Sequence, residues 1–464
     1  MTRTEQMKLF LDASSMTAVG ISRRTGPGSY NLLEHLVRYG YKGSVYPVNP
    51  NSSEILGIKT YPNVAAVPEV TDVALISLPR LSVLQAVKDC VAKGIKAIII
   101  ISQGFADAED EEGPRMQDEI VTLARSTGTL ILGPNTFGVA NASTGFCTAY
   151  LPIPMDMNGV GSISQTGATF IGLNDIRLVG KAIDVGDMCD VDIVDCLEYY
   201  EQDDETRVLA LHIEGMPNAK RFLEAVRRVS LKKPVVALKT GRSGRSAQAV
   251  QSHTGALAGR DELWDVALRD AGVIRVDDIE ELSDTLRAFL TLSAPRGNRV
   301  GVMTPTGGFG IIAADGCEKH GMELVEFTDS TMESLRALAP EWLGVGNPVD
   351  YFPSVSIMGH PRAETELAAM RLIMTDERVD AALGVMGAFS PELGDDLATL
   401  AREMARDFPD KPLVYFLYGP HFEEVRAKLE STGTTLGFPT PERAARALMH
   451  LRRRADYLSR QQER

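Results

Sequence analysis

Short runs of β-branched and other apolar residues alternate with amphipathic stretches along most of this chain. The runs favour strands, and the stretches between them have the periodicity of helices. Strands separated by helices predict parallel sheets that are covered by helices on both faces, so we predict an α/β fold. In the first third of the chain the predicted strands are Thr17–Ile21, Ser44–Val48, Val73–Ser77, Ala97–Ser102 and Thr129–Leu132.

The rest of the chain contains two sections that begin alike. The predicted strand Val160–Ile163 leads into Ser-Gln-Thr-Gly-Ala at 164–168, and the strand Arg299–Met303 leads into Thr-Pro-Thr-Gly-Gly at 304–308. We interpret the two sections as copies of one flavodoxin-like unit. The predicted domains are a Rossmann-like domain at residues 1–145 and doubly wound flavodoxin-like domains at residues 146–294 and 295–464.

We make a separate prediction for each of two segments in the last section. Gly346–Asp350 predicts a turn at a domain contact, and the basic stretch Pro441–Arg454 predicts a solvated terminal helix. This section contains no counterpart of the histidine loop described below.

The composition restricts the partners. A formal charge of −14 argues against nucleic acid and anionic membranes, because both require a basic face. The five cysteines form no CxxC pair, so we expect neither a disulfide framework nor a metal site in this chain. Apolar runs such as Ala97–Ile101 are too short to span a bilayer, so we expect a cytoplasmic protein.

Loops at the carboxyl ends of the first-domain strands are expected to bind a nucleotide, because ligands of doubly wound sheets bind there. The GxGxxG fingerprint of dinucleotide sites is absent. Arg23 and Arg24 in the first loop suit a nucleotide with a phosphate outside its pyrophosphate, although both arginines could equally be solvated. The expected binding residues are Gly20, Ser22, Arg23, Arg24, Asn49, Pro50, Pro79, Ser102, Gln103, Gly104 and Asn135.

The second section has a candidate anion site where its first strand ends. Ser164, Gln165, Thr166 and Gly167 form a small hydroxyl-bearing turn between a strand and a helix start, where unpaired N–H groups and the helix dipole converge. The alternative is an ordinary helix N-cap. Glu214 follows the strand Val208–Ile213 and is expected at the same sheet edge, unless it is only a solvent-facing strand end.

His253 is the candidate nucleophile. It lies in Gln251–Arg260, a run of small, hydroxyl-bearing and glycine residues that leaves the imidazole uncovered. With a pKa of about 6.5 one ring nitrogen is free at neutral pH, and a carboxylate such as Glu214 can fix the tautomer. The alternative is an exposed histidine in an ordinary loop.

These residues resemble a known family. Ser-His-Thr-Gly-Ala-Leu-Ala-Gly at 252–259, followed by Ala-Gly-Val-Ile-Arg-Val at 271–276, is similar to the NDP-forming acyl-CoA synthetases, relatives of succinyl-CoA synthetase. Further shared motifs are Tyr-Pro-Val-Asn-Pro (46–50), Ile-Ser-Gln-Gly-Phe (101–105), Leu-Gly-Pro-Asn (132–135), Ile-Ser-Gln-Thr-Gly-Ala (163–168), Gly-Arg-Ser (241–243) and Gly-Asn-Pro-Val-Asp (346–350). The resemblance implies that the first domain binds coenzyme A, that phosphate binds at Ser164–Thr166, and that His253 carries a phosphoryl group with support from Glu214.

The resemblance also implies the reaction and a partner. Phosphate attacks an acyl-CoA, the resulting acyl phosphate phosphorylates His253, and the phosphoryl group passes to ADP or GDP. The chain lacks a P-loop and has no section left for the family's ATP-grasp module. ATP, ADP and Mg²⁺ are therefore expected on an ATP-grasp β subunit, with α₂β₂ as the simplest assembly implied by the resemblance.

Two departures from the family pattern concern the acyl substrate. Thr136-Phe137 replaces a more usual Cys-Leu, and Asp187-Met188-Cys189 replaces a glycine-asparagine turn with a small or basic residue. Two other functions stay open. A NAD(P)-dependent oxidoreductase is disfavoured by the missing fingerprint, and a coenzyme A-binding scaffold or sensor without turnover is disfavoured by the presence of His253 and Glu214.

Overall fold

The structure is a computed structural model that describes residues 2–26, 28–29, 31–153, 155–167, 180–246 and 261–463. The chain divides into two compact units, residues 1–286 (unit 1) and residues 287–464 (unit 2). Parallel sheets joined through helices confirm the predicted α/β fold. The finer division at residues 145 and 294 stays a prediction.

The first sheet of unit 1 is parallel throughout. Its strands are β1 (Ser15–Val19), β2 (Ser44–Val48), β5 (Val73–Ile76), β6 (Ala97–Ile100) and β7 (Leu130–Leu132), and β3 (Glu54–Ile55) pairs separately with β4 (Ile58–Lys59). The strand order is β2-β1-β5-β6-β7. The helices are α1 (Arg3–Leu11), α2 (Leu32–Arg38), α3 (Arg80–Lys93) and α4 (Glu112–Thr127), with a 3₁₀ turn at Val64–Ala66. The central strands β5 and β6 are apolar and buried along their whole length, because helices cover both faces.

The second sheet of unit 1 is mixed. Its strands are β8 (Val139–Asn141), β9 (Phe146–Cys147), β10 (Val160–Ser164), β11 (Lys181–Asp184), β12 (Val208–Ile213), β13 (Val235–Lys239) and β14 (Ile274–Val276). The order is β14-β13-β12-β10-β11-β8-β9, with β8 and β9 antiparallel to their neighbours. The helices are α5 (Ile193–Gln202), α6 (Ala219–Lys232), α7 (Asp261–Asp270) and α8 (Ile279–Thr291), which crosses into unit 2. The parallel strands all end at one edge, where the candidate site lies.

Unit 2 contains the third sheet. Its strands are β15 (Arg299–Thr304), β16 (Glu323–Leu324), β17 (Val349–Asp350), β18 (Ala381–Gly387), β19 (Leu413–Tyr418) and β20 (Thr435–Phe438). The order is β16-β15-β18-β19-β20, and β17 pairs with the end of β15. The helices are α9 (Gly307–Lys319), α10 (Asp329–Ala337), α11 (Phe352–Ser356), α12 (Arg362–Thr375), α13 (Leu393–Asp407), α14 (Phe422–Glu430) and α15 (Pro441–Gln462). Among the described helices, none is both long and apolar enough to cross a membrane.

One sequence prediction for unit 2 was wrong, and another was incomplete. The terminal helix α15 is not a solvated element, because Ala444, Leu448 and Leu451 form an apolar face that is buried in the core. Its arginines had masked this periodicity in the sequence. Gly346–Asp350 is not only a turn, since Val349 and Asp350 form β17 in register with Met303 and Thr304.

Candidate active site

A cleft of about 510 Å³ opens at the carboxyl edges of both sheets of unit 1. It is lined by residues that follow β5, β6, β7 and β10, together with Tyr150 and the last residue of β11. The lining residues are Leu78, Pro79, Arg80, Ile101, Ser102, Gln103, Asn135, Thr136, Phe137, Tyr150, Gln165, Thr166, Gly167 and Asp184. Three of the five loops predicted to bind a nucleotide, those after β5, β6 and β7, therefore meet the turn predicted to bind an anion in one cavity.

Part of the predicted site lies in this cleft. The lining includes the predicted residues Pro79, Ser102, Gln103, Asn135, Gln165, Thr166 and Gly167. Ser102 Oγ donates to the carbonyl of Leu78 at 2.6 Å, which ties the loop after β6 to the loop after β5. Arg80 is the cationic residue of the described lining, and it is paired with Asp110 at 2.7 Å and Glu112 at 3.6 Å.

Other predicted residues do not line this cleft. They are Gly20, Ser22, Arg23, Arg24, Asn49, Pro50, Gly104, Ser164 and Glu214. Ser22, Arg23 and Arg24 are exposed, and the loop that carries them is held by Asn31, whose Nδ2 donates to the carbonyls of Ser22 and Arg24, both at 2.9 Å. Asn49 Nδ2 donates to the carbonyl of Ile21 at 3.0 Å. This loop borders a separate cavity of about 640 Å³ beside Gly26, Gly28 and His35.

The turn after β10 is closed by two hydrogen bonds of one hydroxyl. Ser164 Oγ donates to the carbonyl of Thr166 at 2.6 Å and accepts from the N–H of Thr166 at 3.1 Å. This geometry fixes Thr166 and Gly167 at the cleft wall. Gly167 has no room for a side chain, because a Cβ there would lie 2.0 Å from the ring of Phe137.

Gln165 connects this turn to Glu214. Its Oε1 accepts from the N–H of Glu214 at 2.6 Å and from the N–H of Gly215 at 3.2 Å. Gln165 is 2% exposed and Glu214 is 7% exposed, so both hydrogen bonds are shielded from water. The predicted Ser164–Gly167 turn and Glu214 are thus held together at one sheet edge, through an amide whose role the sequence did not indicate.

Lys239 lies on the other side of Glu214, at the end of β13. Its Nζ donates to the carbonyl of Glu214 at 2.9 Å and to that of Thr240, and lies 5.5 Å from the ring centre of Trp264. Burial lowers the pKa of Lys239 to about 8, against the opposing pull of the Asp261 carboxylate. A buried cation therefore supports the strand end that carries Glu214.

Two largely buried aspartates lie beside the turn. Asp184 accepts from the N–H of Phe137 at 2.8 Å and from that of Gly186 at 3.1 Å, and burial raises its pKa to about 6. Burial also raises the pKa of Asp187 to about 8, with a further contribution from Asp107. Asp187 Oδ1 accepts from Asn135 Nδ2 at 3.3 Å, whereas the buried Oδ2 has no hydrogen-bond partner.

Phe137, Tyr150 and Asp184 were missed as site residues. The rings of Phe137 and Tyr150 stack with centroids 4.5 Å apart in the cleft. The one signal in the sequence for these residues was that Thr136-Phe137 departs from the family pattern. That departure did not show that Tyr150, in the connection after β9, lies beside Phe137. The predicted nucleophile His253 lies outside the described residues. Within the described ranges, no group of three or more His, Cys, Asp or Glu could hold a metal ion.

Each half of unit 1 matches a known protein family. Residues 14–142 match the CoA binding domain family, and residues 158–289 match the succinyl-CoA ligase like flavodoxin domain family. The first range contains the loops after β1, β5 and β6. The second contains the Ser164–Gly167 turn, Glu214 and His253.

Whole-chain relatives agree with these assignments. The chain is 33% identical over 446 residues to the acetate–CoA ligase [ADP-forming] II subunit alpha of Pyrococcus furiosus, covering 94% of each chain. It is 31% identical to the acetate–CoA ligase [ADP-forming] of Methanocaldococcus jannaschii, covering 97% of this chain and 63% of that protein. A dinucleotide-forming acetyl-coenzyme A synthetase 1 of Ca. Korarchaeum cryptofilum, solved with phosphate and ADP, superposes with a TM-score of 0.85 at 28% identity over 99% of both chains. The chain therefore belongs to the NDP-forming acyl-CoA synthetase family, among the proteins similar to ADP-forming acetate–CoA ligase α subunits.

Proposed function

We propose that this chain is the α-type subunit of an acid–CoA ligase that forms ADP or GDP in the ligation direction. The enzyme would interconvert an acyl-CoA, phosphate and a nucleoside diphosphate with a carboxylic acid, coenzyme A and a nucleoside triphosphate. The observation that carries this proposal is the single cleft, in which Ser102 and Asn135 of the first sheet face Thr166 and Gly167 of the second. A thioester held by the first sheet and a phosphate held at the turn can meet there.

The first chemical step is acyl transfer to phosphate. A phosphate oxygen attacks the thioester carbonyl carbon, the carbon–sulfur bond breaks, and coenzyme A leaves as its thiolate. The Ser164–Gly167 turn supports phosphate binding because its geometry is fixed by the two hydrogen bonds of Ser164. Much of the rate advantage in such a step comes from holding the two reactants in place.

The second step transfers the phosphoryl group to His253. An imidazole nitrogen attacks phosphorus, the bond to the acyl oxygen breaks, and the carboxylic acid leaves as carboxylate. Glu214 is the proposed acceptor for the other imidazole N–H, which fixes the tautomer and stabilises the positive charge that develops on the ring. Gln165 and Lys239 hold the backbone of Glu214 from two sides, which supports this role.

A partner subunit completes the cycle in this proposal. The sequence contains no P-loop, and the match to the Methanocaldococcus protein covers only 63% of that longer chain. We therefore assign ADP, ATP and Mg²⁺ to an ATP-grasp β subunit that receives the phosphoryl group from His253. An α₂β₂ complex in the cytoplasm, with coenzyme A bound to the α subunit, is the simplest form of this proposal.

Labelling with radioactive phosphate tests the function. The purified chain, mixed with labelled phosphate and a panel of acyl-CoA thioesters, should acquire an acid-labile, base-stable label on His253. His253→Ala should abolish the label and leave the fold intact. Label that persists in this variant would exclude His253 as the acceptor, and coenzyme A binding without any label would favour the scaffold or sensor function.

A further inference from the structure

An aromatic pair, Phe137 and Tyr150, forms part of the cleft wall beside the Ser164–Gly167 turn. The two rings stack with centroids 4.5 Å apart and an angle of 25° between their planes. The Phe137 ring also lies against Gly167, where a Cβ would come within 2.0 Å of it. A phosphate held at the turn would therefore lie beside the aromatic pair.

Hydrogen bonds hold the backbone of both aromatic residues in place. The N–H of Phe137 donates to Asp184 Oδ2 at 2.8 Å, and His35 Nε2 donates to the carbonyl of Tyr150 at 3.2 Å. Both partners, Asp184 and His35, are buried. Because the backbone is held and the rings support each other, a molecule that binds against them loses little free energy to ordering the wall.

The same cleft offers further apolar surface. Leu78, Pro79 and Ile101 line it, and each of them is only partly buried. An apolar group that enters the cleft would remove this surface and the two rings from water, and a flat aromatic group could in addition stack on a ring. A methyl group, which is the whole substituent of an acetyl group, would cover little of this surface.

The charges of the lining do not suit an acyl group with a second carboxylate. Among the described lining residues Arg80 is the one cation, and its charge is already balanced by Asp110 at 2.7 Å and Glu112 at 3.6 Å. A second carboxylate would therefore lose its water in the cleft without gaining a counter-ion, which is unfavourable.

We propose that the Phe137–Tyr150 pair is the acyl-binding wall of the cleft, and that the preferred substrate is the coenzyme A thioester of an aromatic monocarboxylic acid. The inference rests on the proposed function, because it requires that the thioester carbonyl meet phosphate at the turn. The substituent on the carbonyl carbon then lies along the two rings. Phe137 and Tyr150 therefore determine which acyl group binds, while the turn holds the attacking phosphate.

Calorimetric titration of the full chain with three thioesters tests this proposal. Phenylacetyl-CoA should bind about tenfold or more tightly than acetyl-CoA, since a single methylene contact in an apolar pocket is worth about 10–200-fold. Succinyl-CoA should bind no more tightly than acetyl-CoA. Phe137→Leu, which introduces the residue more usual in the family, should reduce the preference for phenylacetyl-CoA about tenfold, and Tyr150→Phe should keep it because the ring remains.

The matched control is Phe309→Leu in unit 2. Phe309 stacks on Tyr418 with centroids 4.1 Å apart, so this variant breaks a similar aromatic pair that is not part of the described lining of the cleft. The preference for phenylacetyl-CoA should not change. If Phe137→Leu does not fold, Tyr150→Leu removes the other ring of the wall and should reduce the preference in the same way.

Equal affinities for phenylacetyl-CoA and acetyl-CoA in the wild type would overturn the acyl-wall role and leave the proposed function in place. The same holds for a preference that survives the loss of either ring, and for succinyl-CoA as the tightest ligand. Phosphate-dependent release of coenzyme A from the bound thioester tests the function separately. A wild-type chain that prefers phenylacetyl-CoA but never releases coenzyme A would overturn the proposed function, whereas a chain that binds none of the three thioesters would overturn both.

Discussion

Ser164 and Asp184 lie opposite each other on the parallel strands β10 and β11, at the ends that face the cleft. Ser164 closes the turn that follows its strand, and Asp184 accepts from the N–H two residues later, that of Gly186, at 3.1 Å. Unit 2 repeats this pair. Thr304 is opposite Asp350, its Oγ1 donates to the carbonyl of Thr306 at 2.8 Å, and Asp350 Oδ1 accepts from Phe352, also two residues later, at 3.1 Å.

Unit 2 repeats the paired strand ends and their turns, but it does not repeat the charged groups that surround them in unit 1. Ser164 is in register with His212, and Glu214 follows His212 by two residues. In unit 2, Met303 is in register with Gly384, and continuing that register places Gly387 at the position equivalent to Glu214. Lys239 pairs with Ile213, and the equivalent strand position in unit 2 is Leu417 beside Met386. The residues to which we assign the proposed chemistry therefore have no charged equivalent at these strand positions of unit 2, which indicates the following substitutions.

Glu214→Gln should slow phosphohistidine formation by about 10²–10⁴-fold, the range for a lost acid–base or orienting group. The substitution keeps both backbone hydrogen bonds of residue 214: its N–H still donates to Gln165 Oε1, and its carbonyl still accepts from Lys239 Nζ. The strand end should therefore stay in place. Single-turnover labelling measures the effect. Glu198→Gln, which touches only a surface arginine among the described residues, is the control, and equal rates in the two variants would reduce Glu214 to a structural residue.

Ser164→Ala should raise the KM for phosphate about tenfold, because it removes both hydrogen bonds that close the turn, each worth about 1 kcal/mol. Steady-state kinetics with the reconstituted complex would measure this change. Thr440→Ala removes a comparable hydroxyl from the start of α15 and should cost about 1 kcal/mol of stability without changing the KM. A phosphate KM unaffected by Ser164→Ala would indicate that the anion binds elsewhere.

Gln165→Ala should destabilise unit 1, because it leaves the buried N–H groups of Glu214 and Gly215 without an acceptor. Each buried group that loses its partner costs about 1–3 kcal/mol. Urea unfolding would show the loss, and Gln85→Ala, which breaks an exposed contact with Asp89 on α3, is the matched control. Equal stability of the two variants would contradict a connecting role for Gln165.

The sequence predicted the framework of the site better than its interior. The strand Val208–Ile213 has the predicted bounds, because its apolar pattern is regular. The strand Lys181–Asp184 was not predicted, since Lys181 is a buried charge paired with Asp203 rather than part of an apolar run. Contacts such as Phe137 with Tyr150 and Gln165 with Glu214 depend on how separate loops meet, which the local pattern does not encode.

Asp187→Asn should change how stability depends on pH. The pKa of Asp187 is raised to about 8 by burial and by Asp107, so the folded state retains this proton to higher pH than the unfolded state. The resulting stabilisation is complete below about pH 4 and is lost as the pH rises through about 8. Urea unfolding between pH 5 and pH 8 should therefore show the wild type losing stability relative to the variant. A constant difference across this range would contradict a raised pKa.

Gly167→Ala should force Phe137 away from Tyr150. A Cβ at residue 167 would lie 2.0 Å from the ring of Phe137, which is stacked on Tyr150 and cannot yield without losing that contact. Overpacking of this kind costs about 1–3 kcal/mol, and the displaced ring would narrow the cleft beside the turn. Gly167→Ala should therefore lower the free energy of unfolding and raise the KM for phosphate.

The repeat in unit 2 supplies the control for this last substitution. Gly307 follows Thr306 as Gly167 follows Thr166, but a Cβ there would meet its nearest neighbour, Asp350 Oδ2, at an ordinary 3.7 Å. Gly307→Ala should therefore be tolerated. Adding Phe137→Ala to Gly167→Ala should remove the collision, so the double variant should be more stable than the sum of the single losses predicts, by about 0.5–3 kcal/mol. Additive losses in urea unfolding would mean that the two residues do not exclude each other, and that the ring does not set the width of the cleft beside the turn.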